Sequence, residues 1–77
     1  MSITVYSKSN CPQCDATCRA LDKHQIGYNK IDLTQDSQAL AFVRSLGHQQ
    51  APVVVAGQEH WSGFRPDKIH ALRAIAV

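Results

Sequence analysis

The chain has 77 residues, with 8 Lys and Arg against 6 Asp and Glu for a formal net charge of +2. That length is read as one small domain, residues 1–77, whose core supplies only roughly 3–5 kcal/mol of stability. The charge is too even and too scattered for a nucleic-acid or membrane footprint.

No stretch approaches the roughly 20 apolar residues that a bilayer span requires. The opening "MSITVYSKSN" has neither the basic nor the apolar region of a secretory signal, so a cytoplasmic location is expected. In chain order, "SITVYS" sets Ile3 and Val5 against Thr4 and Tyr6 and predicts a first strand. Pro12 to Gln25 contains no Gly and no internal Pro, favours helix, and is expected to stop at Gly27. "YNKIDL" alternates again as a second strand. "SQALAFVRSLG" places Leu40, Val43 and Leu46 at helical spacing ahead of Gly47. After Pro52, "VVVAGQEHW" reads as an apolar strand, a turn at Gly57 and a short returning strand, with Trp61 to Phe64 in the loop that follows. "RPDKIHALRAIAV" closes as a helix with Pro66 in its first turn and a stripe of Ile69, Leu72 and either Ile75 or Ala76.

The order β-α-β-α-β-β-α predicts an α/β fold. Its β-α-β unit pairs two strands in parallel through a right-handed crossover, and the later hairpin extends the sheet antiparallel. A four-stranded mixed sheet flanked by three helices is the thioredoxin/glutaredoxin-like architecture.

The chain's three cysteines all fall within "SNCPQCDATC". In the cytosol thiols are kept reduced, and cysteines there serve catalysis, redox sensing or metal binding more than structural bridging. Cys11 sits where the first strand meets the first helix, and Cys14 lies one turn in. Unpaired N–H groups and the positive end of the dipole at a helix start stabilise a thiolate, and the first thiol of a Cys-X-X-Cys site can reach a pKa of about 3.5–7.5. Spacing of three also lets the two sulfurs approach bonding distance. A half zinc site completed by two of His24, His48, His60 and His70 is the competing reading, although these lack the usual His-X3-5-His spacing. Cys18, four residues beyond Cys14, is too far along a regular helix to bridge to it and reads as an inert, small hydrophobic thiol.

"CPQC", "QAPVVVAG" and "WSGFRPDKI" together resemble the NrdH-type redoxins, glutaredoxin-like electron donors of class Ib ribonucleotide reductase, and the resemblance spans essentially the whole chain. It implies a thiol-disulfide oxidoreductase of thioredoxin fold, reduced by thioredoxin reductase rather than by glutathione. It further implies Cys11 as the attacking thiol, Cys14 as the resolving thiol, and Pro52 as a cis-proline beside the disulfide. The partners implied are thioredoxin reductase and the large subunit of the class Ib reductase, with no nucleic acid or membrane, and a monomer is expected. No cofactor or metal is implied for this chain, because NADPH and FAD reside on the reductase.

Pro12 replaces the Val or Met usual in the family and gives the Cys-Pro start common in glutaredoxins. Cys18 stands where the family commonly has a basic residue on an exposed face, which keeps an accessory role open. Ala51, Pro52, Trp61, Ser62, Gly63, Phe64 and Arg65, with Lys8, form the expected partner-binding set. Trp61 and Phe64 are read either as an apolar recognition surface or as cover for the core, and Lys8 and Arg65 as anion contacts. Two other readings stay open: a glutathione-dependent glutaredoxin and a small zinc or iron-sulfur module.

Overall fold

The computed structural model describes residues 3–76, with side chains placed through Arg73. Seven elements follow one another: β1 (Ile3–Ser7), α1 (Pro12–Lys23), β2 (Asn29–Asp32), α2 (Ser37–Ser45), β3 (Val53–Ala56), β4 (Glu59–Ser62) and α3 (Pro66–Ala76). The strands lie in the order β2-β1-β3-β4. β1 pairs with β2 in parallel, Val5 opposite Lys30, and with β3 antiparallel, Val5 opposite Val54. β3 and β4 form an antiparallel hairpin with Val54 opposite Trp61.

The pleat of β1 sends Ile3 and Val5 to one face, where they join Val54 and Ala56 of β3 in the main core. α1 covers that face with Cys14, Thr17, Cys18 and Leu21, a buried stripe at i, i+3, i+4 and i+7. Thr17 is tolerated there because its hydroxyl donates to the Gln13 carbonyl at 2.8 Å. α3 adds Ile69 and Leu72 beside it; Ile75 and Ala76, expected to extend that stripe, lie outside the described side chains. On the other face Tyr6 stacks at a tilt against Phe42 of α2, ring centroids 5.8 Å apart. α2 buries Ala39 and Val43, while Leu40 and Leu46 stay partly exposed.

The end of α1 departs from the sequence expectation. The helix stops at Lys23 and Gln25 takes the left-handed conformation at φ 58°, so Gly27 is not the stop. Gln25 N–H donates to Asp22 and Ile26 N–H to Leu21, at 3.0 and 2.9 Å, which closes the carbonyls of the last turn. Both Ile26 and Leu21 belong to the core. Burying Ile26 against Leu21 therefore reverses the chain before the glycine is reached.

β4 also runs further than expected. Its ladder includes Trp61 and Ser62, opposite Val54 and Val53, so only Gly63 and Phe64 of "WSGF" stand between β4 and α3. The expectation of a four-residue loop is corrected by that continued pairing.

Candidate active site

The C-terminal end of β1, the start of β3 and the end of β4 all lie at one end of the sheet. Asn10, in the left-handed region at φ 55°, turns the chain from β1 toward α1, a conformation Asn tolerates better than most residues. Cys11 is then the N-cap of α1, extended at φ −120° and ψ 96°, with Pro12 at the first helical position. Its Sγ accepts the Cys14 backbone N–H at 3.1 Å, the place an N-cap oxygen fills in other helices. A thiolate at that atom faces the same donor and the positive end of the helix dipole.

Cys11 and Cys14 form a disulfide with their Cα atoms 5.2 Å apart. Cys11 is 7% exposed and Cys14 only 2%, so an incoming thiol reaches the Cys11 sulfur more readily and Cys14 stays behind it.

Pro52 follows a cis peptide bond from Ala51 and is buried. Its carbonyl accepts the Gly63 N–H at 2.8 Å, which ties the segment ahead of β3 to the segment after β4. Gly63 sits at φ 83°, where an L side chain is strained, and a Cβ there would lie 3.5 Å from Gln13 Oε1. Gln13, between the two cysteines, thus lies over Gly63. It was missed in the sequence, where only its place inside "CPQC" marks it.

The remaining expected residues divide. Phe64 is 38% exposed, a large apolar side chain one residue beyond Gly63. Trp61 is in the core cluster at 5% exposure, so its assignment to a recognition surface is corrected: its place opposite Val54 points the indole inward. Ser62 is half-buried at the end of β4. Arg65, expected as an anion contact, is paired with Asp67 on the surface through two hydrogen bonds, Nε at 3.2 Å and Nη2 at 3.0 Å. The hydrogen bond from Arg65 keeps the Asp67 carboxyl below its ordinary range. Lys8 is exposed and lines a cleft of about 230 Å³ together with Leu33, Val43, Arg44, Gln50 and Ala51.

Cys18 is buried, against the exposed face that the resemblance implied for this position. Burial, then a side-chain hydrogen bond with Cys18, raises the Tyr28 phenol above its ordinary value. The thiol belongs to the main core cluster beside Leu21 and Ile26. Cys18→Ala is expected to leave turnover within about threefold of wild type, less than 1 kcal/mol of barrier. It should lower stability by about 1 kcal/mol through the buried volume lost from the core. A coupled turnover assay beside urea unfolding checks both, and a tenfold loss of turnover in a folded variant would return Cys18 to the site.

The histidines form two pairs, His48 with His60 and His24 with His70. Among the described residues no three His, Cys, Asp or Glu side chains are placed to share a metal ion. The four-ligand zinc reading therefore finds no assembled ligand set there.

The glutaredoxin family profile matches residues 3–61. The glutaredoxin-like protein NrdH of Escherichia coli is 42% identical over 72 residues, covering 94% of this chain and 89% of that protein. NrdH of Lactococcus lactis subsp. cremoris is 36% identical over 70 residues, 91% and 97% of the two chains. This chain belongs to the glutaredoxin family, among its NrdH-type redoxins. The solved structure of the E. coli NrdH-redoxin superposes with a TM-score of 0.91 over 94% of the redoxin and 95% of that chain. A glutaredoxin from Archaeoglobus fulgidus, 26% identical, superposes at 0.83 over 92% and 84%. The redoxin is a thiol-disulfide oxidoreductase with the fold expected from its sequence, and none of its described helices is long and apolar enough to cross a membrane.

Proposed function

We propose that this redoxin is a dithiol electron carrier that thioredoxin reductase keeps reduced and that delivers its electrons to the large subunit of class Ib ribonucleotide reductase. The Cys11 thiolate attacks the target's disulfide, one target sulfur leaves as thiolate and takes a proton, and a mixed disulfide forms. The Cys14 thiol, on losing its proton, attacks Cys11 Sγ and expels the second target thiolate. Two electrons and two protons pass to the target, and the carrier leaves as the Cys11–Cys14 disulfide. Thioredoxin reductase returns it to the dithiol with electrons from NADPH through its own flavin. The carrier works in the cytoplasm as a monomer, without a cofactor, nucleic acid or membrane.

The observation that carries this reading is the bond from Gly63 to Pro52 beneath Gln13. It fixes Gly63 beside Gln13 of the Cys-X-X-Cys turn, and the next residue, exposed Phe64, offers an apolar contact for a protein partner. The E. coli NrdH-redoxin, 42% identical, is described as a glutaredoxin-like protein with a thioredoxin-like activity profile, which agrees with that choice of reductant.

One observation favours glutathione instead. The cleft beside Ala51 carries Lys8 and Arg44, two cations suited to a small carboxylate-bearing thiol. NADPH oxidation coupled through thioredoxin reductase to a disulfide substrate, run beside reduction by glutathione alone, separates the two. Reduction by the flavoenzyme is expected to be at least about tenfold faster, a difference of roughly 1.4 kcal/mol in barrier. Phe64→Ala should raise the KM for the flavoenzyme severalfold while Cys11 alkylation keeps its rate. Equal rates with glutathione would give the cleft, not Phe64, the decisive role.

A further inference from the structure

His48 and His60 stand 12 residues apart in sequence, yet His48 Nε2 and His60 Nδ1 meet at 2.7 Å, with the rings edge to face and their centroids 4.9 Å apart. In this contact one ring nitrogen donates and the other accepts, so a single proton lies between two lone pairs aimed at each other. The two backbones are held independently. α2 ends with Gly47 at φ 91°, Gly47 N–H donating to Arg44 at 2.9 Å and His48 N–H to Val43 at 3.2 Å, the same closure seen at the end of α1. His60 is fixed in β4 opposite Val55.

We propose that His48 and His60 form a two-imidazole site for a divalent late first-row transition-metal ion of the Zn²⁺ or Cu²⁺ kind, distinct from the Cys11–Cys14 disulfide. Metal–nitrogen bonds of about 2.0–2.1 Å put adjacent ligand nitrogens on the order of 3 Å apart. The observed 2.7 Å therefore needs only a small opening of two side chains anchored on firm backbone. The bound ion takes the place of the shared proton, which moves by way of solvent to the other nitrogen of the donating ring, so that both imidazoles bind as neutral ligands. Imidazole suits these metals, with Cu²⁺ above Zn²⁺ in affinity, and water fills the remaining positions because the contact is exposed. Arg44 shares a surface cleft with His48 and opposes a cation there, which holds the affinity below that of a closed structural site. An ion at this place clamps the segment leading to Pro52 onto the strand leading to Gly63.

Zn²⁺ titrated calorimetrically into the disulfide form, in which Cys11 and Cys14 offer no thiolate, tests the site. Saturable one-to-one binding is expected, with the His48 Nε2 and His60 Nδ1 resonances shifting in ¹⁵N NMR. His48→Gln and His60→Gln should each weaken binding by about tenfold or more, while His70→Gln should leave it unchanged. Circular dichroism confirms that each variant is folded. Binding that survives in His60→Gln, that falls in His70→Gln, or that never saturates in wild type overturns the assignment.

Discussion

Cys11→Ser is expected to abolish turnover, and Cys14→Ser to stop it at a mixed disulfide joined through Cys11. The asymmetry follows from placement. Cys11 is the N-cap, its sulfur accepting the Cys14 N–H at 3.1 Å and open to solvent at 7%, whereas Cys14 is 2% exposed behind the first turn. Loss of Cys11 removes the reachable thiolate and the only sulfur at the dipole end. Loss of Cys14 leaves the attack intact but removes the resolving thiol, and Cys18 cannot replace it because it is buried in the core one turn further on. Mass spectrometry after incubation with an oxidised disulfide substrate should find the Cys14→Ser adduct on Cys11 in high yield and almost none on Cys14 in Cys11→Ser. Equal trapping through either sulfur would mean that position along the helix does not divide their roles.

The sequence carried the parts of this fold that depend on periodicity. Alternation in "SITVYS" gave the faces of β1. The order of elements gave the sheet, since a β-α-β crossover followed by a hairpin leaves few other arrangements. It carried the position of the disulfide for the same reason: spacing of three at a strand-to-helix junction is local information.

What escaped was decided by contacts that exist only once the chain has folded. Gln25 became the left-handed residue because Ile26 packs on Leu21, a tertiary demand that outweighed the conformational ease of Gly27. Ser62 and Trp61 stayed in the ladder because Val53 and Val54 pair with them. Arg65 pairs with Asp67, two residues away but aligned only once α3 begins. The cleft beside Ala51 joins side chains from the turn after β1, from α2, from the start of β3 and from the two loops between β2 and β3, and no local pattern announces it. The His48–His60 contact likewise exists only because α2 ends level with the outer strand.

Trp61 shows how an interface reading and a core reading of one residue separate experimentally. The indole is 5% exposed and packs in the cluster with Val54, Leu21, Ile69 and Leu72, so Trp61→Ala leaves a large cavity under β4. Truncating a buried aromatic costs about 3–5 kcal/mol, comparable to the roughly 3–5 kcal/mol that a core of this size contributes in all. The variant is therefore expected to be largely unfolded at 37 °C rather than folded with a raised KM. Trp61→Phe provides the control. Among the described residues the indole Nε1 is buried with no hydrogen-bond partner, so phenylalanine keeps most of the apolar volume and removes a donor whose burial costs about 1–3 kcal/mol. That gain offsets much of the lost packing, and urea unfolding should place Trp61→Phe within about 1.5 kcal/mol of wild type, with its KM for thioredoxin reductase unchanged. A well-folded Trp61→Ala, or a Trp61→Phe that is stable but binds the reductase many times more weakly, would put the indole back at the partner surface and take that role from Phe64.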